Sequence, residues 1–263
     1  MTRPSLAFAT DVAARLLEGG VLERHEGHRV VRTPANPAFR WGNFVLADAG
    51  ADLTAPERWA AAHAAAFPGA GFVSIGVDEA EPHVDEAAWT AAGFTVEHAV
   101  VLEAPAARIA AEQPSPSVAV EEVLDDAGWA DVLAIELELG PPDDPASAPF
   151  ATARVAAQRA ATARGLGVWL GARPDARIVS ALGLYPLADG VARYQNVGTL
   201  SRARRQGLAG ALVRAGARAA LERGRTRLVI VADPDGPAIA LYRRLGFTGT
   251  ETQVQLTRLA PPA

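Results

Sequence analysis

Two α/β domains in tandem, each built on a mixed (α+β) sheet, are predicted by three features of this sequence. Helix-like and strand-like apolar periods alternate along the chain. A stretch of weak patterning with three prolines, Ala104 to Ser117 (APAARIAAEQPSPS), interrupts them near the middle. Two short strings also recur at one spacing. Arg40-Trp41-Gly42-Asn43 stands 153 residues before Arg193-Tyr194-Gln195-Asn196, and Trp89-x-x-x-Gly93-Phe94-Thr95 stands 153 before Tyr242-x-x-x-Gly246-Phe247-Thr248. Matches at one offset predict a duplication. With 263 residues, 49% of them apolar, the chain has material for two cores of ordinary size. The expected division is a first domain over 1–105, a linker over 106–116 and a second domain over 117–263.

In the first half, helices are expected at Ala9–Leu17, Pro56–Phe67 and Asp85–Ala92. Strands are expected at His28–Thr33, Phe44–Ala47, Gly71–Val77 and Thr95–Leu102. In the second half, Val118–Val123 reads as a strand, Asp126–Leu139 as a helix opened by the Asp125-Asp126 pair, and Phe150–Ala163 as a second helix. Gly167–Ala172, Ile178–Tyr185 and Ala192–Thr199 read as a meander joined by Pro/Asp/Gly turns. Gly207–Arg223 then reads as a helix, Arg227–Ala232 as a strand, Pro237–Leu245 as a helix and Thr248–Thr257 as a closing strand or pair. From its middle onward the first half repeats this order in shorter form.

Composition excludes several classes. There is no cysteine, which removes disulfides, thiolate metal sites and a cysteine nucleophile. A formal charge of −5 argues against general nucleic-acid binding, which needs positive charge to displace phosphate counterions. No apolar run approaches the ~20 residues of a membrane span, and the apolar start is broken by Asp11, unlike a signal-peptide core. A soluble, cytoplasmic chain is expected, with no membrane partner. All 25 basic residues are arginine, from which no function is drawn. His25-Glu26-Gly27-His28 combines ligand types, but not at the H-E-x-x-H spacing and with no third cluster, so no metal is expected.

The chemistry concentrates after Thr199. Arg204-Arg205-Gln206-Gly207-Leu208-Ala209-Gly210 is a glycine-containing turn that opens directly into a helix. Small residues let a backbone approach a ligand, and the free N–H groups of a helix N-terminus favour an anion such as a pyrophosphate. Eight arginines against one acid, Glu222, lie between Arg202 and Arg227 in a chain that is acidic overall. A local positive field beside such a turn suits a multiply phosphorylated nucleotide, while an exposed arginine-rich helix face explains part of Arg214 and Arg218.

Val197-Gly198-Thr199-Leu200, then Arg204-x-x-Gly207-x-Ala209, then Leu241-Tyr242-x-x-x-Gly246-Phe247, resembles the GNAT acetyltransferase family over Val118 to about Arg258. The resemblance implies two GNAT-like domains, the N-terminal one reduced, and acetyl-CoA as acyl donor. It implies that backbone N–H groups from Arg205 through Gln206, Gly207, Leu208 and Ala209 to Gly210 hold the pyrophosphate beside Arg204. It implies that the strand at Val197, Gly198 and Thr199 pairs with the pantetheine arm, and that Tyr242 protonates the departing thiolate. Asp235 stands where many relatives carry an asparagine that contacts the cofactor, and Ala209 replaces a commoner glycine.

Direct transfer to a primary amine, in a ternary complex, is the expected reaction. The attacking amine must shed a proton, since its free pKa is ~10.4, and the thiolate must gain one. No base stands out, because all five histidines (25, 28, 63, 83, 98) lie in the first half. Glu136, Glu138, Asp143 and Asp144, on or just after the first helix of the second half, are candidates to line the acceptor pocket, as are Tyr194 and Asn196. The acceptor is expected to be a small-molecule or peptide amine, and the protein a monomer or homodimer. A non-catalytic acyl-CoA sensor or regulatory subunit, and a purely structural partner, remain alternatives. At the 153 offset Trp89 takes the place of Tyr242, and Ala47–Glu57 takes the place of the turn. Tryptophan has no acidic proton to give, and Asp48 and Asp52 would set carboxylates where phosphates should lie, so the first half should not bind coenzyme A.

Overall fold

The computed structural model describes residues 3–111, 118–141 and 146–259. Eleven strands and eight α-helices occur among them, in the mixed α/β class expected. They fall into two compact units. One is drawn from Met1–Val101, Val231–Gly236 and Gly249–Ala263, the other from Leu102–Ile230 and Pro237–Thr248.

The first unit begins with α1 (Leu6–Leu17), which starts earlier than its periodicity suggested because Ser5 caps it, the hydroxyl accepting from the Phe8 N–H at 3.3 Å. Phe8 and Val12, one turn apart, bury against Val31, Phe44 and Leu46. A hairpin follows, β1 (Val21–His25) and β2 (His28–Arg32), turning at Gly27 with φ +76°. β1 was not anticipated, since its largely exposed, charged residues leave little apolar alternation. β3 (Phe44–Ala47), α2 (Pro56–Ala66), β4 (Phe72–Val77), α3 (Glu86–Ala91) and β5 (Thr95–Pro105) follow the expected order. The strand beside β4 comes from the far end of the sequence: β11 (Thr248–Leu259) pairs antiparallel with it from Gln255↔Gly76 to Leu259↔Phe72. Val254 and Leu256 thereby join Val30, Val45, Ile75, Trp59 and Trp89 in one core. Sequence order had assigned this last strand to the domain over 117–263. The linker expected over 106–116 starts as a helix, α4 (Ala106–Ala111), with Ala106 and Ile109 buried, while 112–116 lie outside the described residues.

His63, on the inner face of α2, is 1% exposed between Phe67 and Phe72, with ring centroids 4.7 and 5.7 Å away. Burial pushes its imidazole down to about 4, against a weaker opposing bond with the Asn43 carbonyl. The unfolded chain takes up this proton near 6.5 and the folded one only near 4. The stability His63 contributes is therefore complete above 6.5 and is lost as pH falls from 6.5 toward 4. Urea unfolding at pH 7 and pH 4.5 should show His63→Phe losing less stability on acidification than the parent, by on the order of 1–3 kcal/mol.

In the second unit, β6 (Val120–Glu122), β7 (Val168–Ala172), β8 (Ser180–Pro186) and β9 (Val191–Thr199) form an antiparallel meander, and β10 (Arg227–Ala232) joins β9 in parallel. α5 (Asp126–Leu139) is capped by the Asp125 carboxylate, which accepts from the Gly128 N–H at 2.7 Å. The buried Asp131 of α5 accepts from the Ile178 N–H at 2.8 Å and pairs with Arg177, pinning the helix to the β7–β8 turn. α6 (Ser147–Ala163) packs beside α5, and α7 (Leu208–Glu222) packs on β7, β8 and β9. α8 (Ile239–Leu245) ends at Gly246, whose φ of +101° forms a left-handed cap. A Cβ on Gly246 would stand 2.7 Å from Arg108 Nε of α4.

Strands β8 and β9 take opposite faces of their residues to opposite helices. Tyr194 turns to α7, where its hydroxyl donates to the Val213 carbonyl at 2.7 Å and Gly216 leaves room for the ring. Gly198 turns to α5, where a Cβ would stand 2.7 Å from Leu139 and 2.9 Å from Ile135. The two are reconciled by a bulge: the β8–β9 register shifts between Ala181 and Gly183, and Asn196 takes a left-handed φ of +50°.

Candidate active site

The β9–β10 ladder has three rows among the described residues, Val191↔Arg227, Ala192↔Leu228 and Arg193↔Val229. β9 then runs on to Thr199 without β10, so its far end presents unpaired backbone along one edge. A short 3-10 turn, Ser201–Ala203, leads into Arg204–Gly207 and α7. Arg205 has φ +66° and Gly207 φ +79°. Two left-handed residues one apart turn successive amides to the same side, the geometry of an anion nest. Among the described residues no backbone carbonyl engages an N–H from Arg205 to Gly210; the first N–H used is that of Ala211, bonded to the Gly207 carbonyl at 3.0 Å.

These amides face a cleft of about 890 Å³. Val197, Gly198, Thr199, Arg204, Arg205, Gly207, Leu208, Ala209 and Gly210, all read from the sequence as cofactor-binding candidates, line it. Gln206 and Asp235 are not lining residues. Asp235 sits in an exposed turn with its N–H bonded to the Asp233 carboxylate at 2.9 Å. Leu139, Pro237, Ala238, Leu241, Arg214 and Arg244 also line the cleft and were not singled out for it. Arg244 lies two residues after Tyr242, and Arg214 belongs to the arginine run, so both had a signal in the sequence. Among the described residues four arginines and no carboxylate line this space, which favours a polyanion.

Tyr242 lies on the α8 wall of the cleft, 4% exposed and packed edge-on to Phe247 at 6.2 Å. Burial pushes its phenol up to about 12, so it holds its proton throughout the neutral range. Tyr194, expected to line the acceptor side, instead points to α7; burial raises its phenol well above the ordinary range. A one-residue alternation decides this, and the bulge that follows hides it from the sequence.

The carboxylates read from the sequence as acceptor-lining candidates, Glu136 and Glu138, are already engaged. The Glu136 carboxylate accepts from Asn196 Nδ2 at 2.8 Å and lies 3.5 Å from the Arg154 guanidinium, which also donates to Asn196 Oδ1. Arg154 carries no motif and was missed. Glu138 accepts from the Ser201 N–H at 2.6 Å, ahead of the Arg204–Gly207 turn. This bond, with further help from the Ser201 side chain, Arg202 and Arg204, holds its carboxyl below the usual range. Neither glutamate is thus an unpartnered base; both tie α5 to β9 and the turn that follows it. Asp143 and Asp144 lie outside the described residues.

The first half differs at the corresponding places. α2, α3 and β5 stand close to 153 residues before α7, α8 and β11. The Arg-x-x-Asn match does not survive: Arg40–Gly42 is a 3-10 turn, whereas Arg193–Asn196 is strand. Val45 to Ala47 pair with Ile75 to Val77, so β3 and β4 are joined where, at that offset, β9 and β10 have parted. Trp89 is fully buried and donates from Nε1 to the Leu53 carbonyl at 3.1 Å, and Trp59 donates to the Asp52 carbonyl at 2.9 Å. Two indoles therefore bind the loop that stands in place of the turn. His25 and His28 stack at 4.9 Å, and no group of three or more metal-ligand side chains occurs among the described residues. No described helix is long and apolar enough to cross a membrane.

Residues 129–247 match the acetyltransferase (GNAT) family model. The fold is similar to that of a conserved protein of unknown function from Staphylococcus epidermidis, with a TM-score of 0.72 at 14% identity over 92% of this chain and 95% of that one. A GCN5-related N-acetyltransferase from Kribbella flavida matches at TM-score 0.66 and 18% identity, covering 98% of this chain and 97% of the other. A tandem GNAT protein from the clavulanic acid biosynthesis pathway matches at 0.57 and 16% identity over 100% and 99%. No curated protein matches the sequence.

Proposed function

We propose that this chain, whose residues 129–247 match the acetyltransferase (GNAT) family model, transfers an acyl group from an acyl-coenzyme A, acetyl-CoA in the first instance, to a primary amine. The observation that carries this is the run of unengaged N–H groups from Arg205 to Gly210 in an arginine-lined cleft that reaches Tyr242. When bound, the acyl-CoA supplies the thioester.

In this reading the turn binds the pyrophosphate through backbone N–H groups, with Arg204, Arg205, Arg214 and Arg244 adding charge-assisted bonds to phosphate oxygens. The unpaired edge of β9 at Val197–Thr199 orients the pantetheine amides by strand-like pairing. Tyr242 keeps a proton on Oη for the departing sulfur. The amine loses its proton to solvent, since Glu136 and Glu138 are already partnered. The two halves are read as a tandem pair of which only the second binds the donor, the first having its strands joined and its loop held by Trp89.

Calorimetric titration of acetyl-CoA into the protein, followed by thiol release on adding a panel of amines, tests the reading. Saturable binding with amine-dependent release is expected. No binding overturns it, and binding without release for any amine leaves an acyl-CoA receptor in place of a transferase.

A further inference from the structure

Three described residues other than glycine take left-handed backbone, Asp189, Asn196 and Arg205, and of these Asn196 alone lies within a strand, at φ +50°. Glycine adopts that conformation freely and is the usual occupant of a left-handed bulge position. Asparagine tolerates it, and here both ends of its side-chain amide are in use. Nδ2 donates to the Glu136 carboxylate of α5 at 2.8 Å, and Oδ1 accepts from the Arg154 guanidinium of α6. Arg154 closes the ring, 3.5 Å from the Glu136 carboxylate. All three residues are partly buried, where such bonds are stronger than in water.

What this clamp holds follows from the hydrogen-bond phase of β9. At the hairpin end the Leu187 N–H bonds the Val191 carbonyl at 2.7 Å, and past the other end the Leu200 N–H bonds the Val179 carbonyl at 2.9 Å. In an antiparallel pair every second residue turns its N–H and C=O to the neighbouring strand. Counted from the hairpin, Arg193 and Gln195 turn to β8, and unbroken alternation would turn Val197 and Thr199 there as well. Counted from Leu200, Gly198 turns to β8 opposite Ala181, while Val197 and Thr199 turn away, to the edge that β10 has left. The extra residue of the bulge makes this change of phase, and so gives the cleft the N–H groups of two of its lining residues. Regular register would bring Val197 opposite Ala181, where Leu139 and Ile135 leave no room for a Cβ, so a slip is blocked. That block does not orient the bulged peptide. The Val197 N–H belongs to the planar Asn196–Val197 peptide, and the backbone angles of Asn196 aim it.

We propose that Glu136 and Arg154 are positioning residues: by clamping Asn196 they hold its left-handed backbone and keep the Val197 N–H aimed at the carbonyl oxygen of the thioester. This rests on the transferase reading above. With the pyrophosphate at Arg205–Gly210, the pantetheine arm runs back along β9 from Thr199, and its acyl end reaches Val197 in the cleft that Tyr242 also lines. When the amine nitrogen attacks the carbonyl carbon, the C=O electron pair moves onto oxygen. A fixed N–H at that oxygen then counts for more in the transition state than in the bound donor. A bulged peptide free to turn would leave the donor bound, through the turn and its arginines, and would slow the attack.

The test compares the parent with three variants. Asn196→Gly keeps the left-handed backbone and removes the clamp, Glu136→Ala cuts the clamp from the other side, and Glu136→Gln keeps an acceptor for Asn196 Nδ2. The first two should lose about 10- to 100-fold in kcat while acetyl-CoA affinity stays within about threefold, and Glu136→Gln should retain most of the parental rate. Asn196→Gly combined with Glu136→Ala should lose no more than either alone, since both remove the same bond. Infrared difference spectra of acetyl-CoA labelled with carbon-13 at the thioester carbonyl give a readout apart from turnover. A carbonyl that accepts an N–H absorbs at lower wavenumber, so the bound band should lie below the free one in the parent and return toward it in Asn196→Gly and Glu136→Ala. A parental rate in Asn196→Gly, a loss carried by affinity instead of kcat, additive losses or an unshifted parental band each overturns the proposal. Should Asn196→Gly fail to fold, Glu136→Ala against Glu136→Gln makes the same comparison. If the parent binds acetyl-CoA but turns over no amine, the band decides: a shift that the variants abolish upholds the clamp while overturning the reaction, and a shift that they keep overturns the clamp. No binding to the parent overturns both.

Discussion

Replacing Gly207 by glutamate should weaken acetyl-CoA binding at least about 100-fold, a loss of roughly 2.7 kcal/mol or more, without unfolding the chain. Two effects act together. Gly207 holds φ +79° at the N-terminus of α7, a backbone conformation that costs an L-residue on the order of 1 kcal/mol and would tilt the neighbouring N–H groups out of line. The carboxylate would also enter a cleft lined by four arginines and compete with phosphate oxygens for them. A Cβ at Gly207 meets nothing within 4 Å, so no packing is lost and the circular dichroism spectrum should be that of the parent. Gly207→Ala separates the two effects, since it carries the strain without the charge and should lose only about tenfold. Calorimetric titration reads both variants. Parental affinity in Gly207→Glu would show that the turn does not hold the donor.

Tyr242→Phe should lower kcat by about 10²- to 10³-fold while leaving acetyl-CoA affinity within a few fold, because it removes a proton donor and little contact surface. With its phenol pushed up to about 12 against a reference thiol near 8.5, Tyr242 would surrender its proton to a free thiolate only uphill. Transfer becomes feasible as the sulfur's charge develops against the same apolar wall, which raises the thiol's affinity for a proton by the burial that acts on the phenol. The pH dependence follows in sign. Between about pH 7 and 9 the unprotonated fraction of an alkylamine grows tenfold per unit, so kcat/KM should climb with pH. Tyr242 adds no falling limb below about 12. A rate within threefold of the parent in Tyr242→Phe, or a downturn near pH 9 that the substitution removes, would sink the assignment.

Much of the site was legible because its determinants are local. Asp125 before an apolar period announces the start of α5, and it does cap that helix. Gly207 and Gly246 take left-handed backbone that few other residues tolerate, and they mark the start of α7 and the end of α8. An exposed α-helical N-terminus has unmet N–H groups whatever surrounds it, so the open N–H groups at the start of α7 were legible in the sequence of the turn. Tyr242 on the cleft wall follows from its spacing to Gly246 and Phe247.

The surroundings of Glu136, Glu138 and Tyr194 were not legible for the opposite reason. Glu136 and Glu138 read as free carboxylates until Arg154 and Asn196 are seen beside one and the Ser201 N–H beside the other, partners 18 to 63 residues away along the chain. The face taken by Tyr194, Gln195 and Asn196 hangs on one bulge, which leaves no mark in the apolar pattern.

By itself, then, the sequence determined most of the helices and strands, the left-handed turn ahead of α7 and the run of arginines around it, because capping, left-handed glycine and periodicity act over a few residues. Only the tertiary structure decided that β11 completes the sheet beside β4, that β3 and β4 stay joined while β9 and β10 part, and which groups partner Glu136 and Glu138. Strand edges and buried charges are satisfied by whichever group folding brings within 3 Å of them, and the distance along the chain does not say which group that will be.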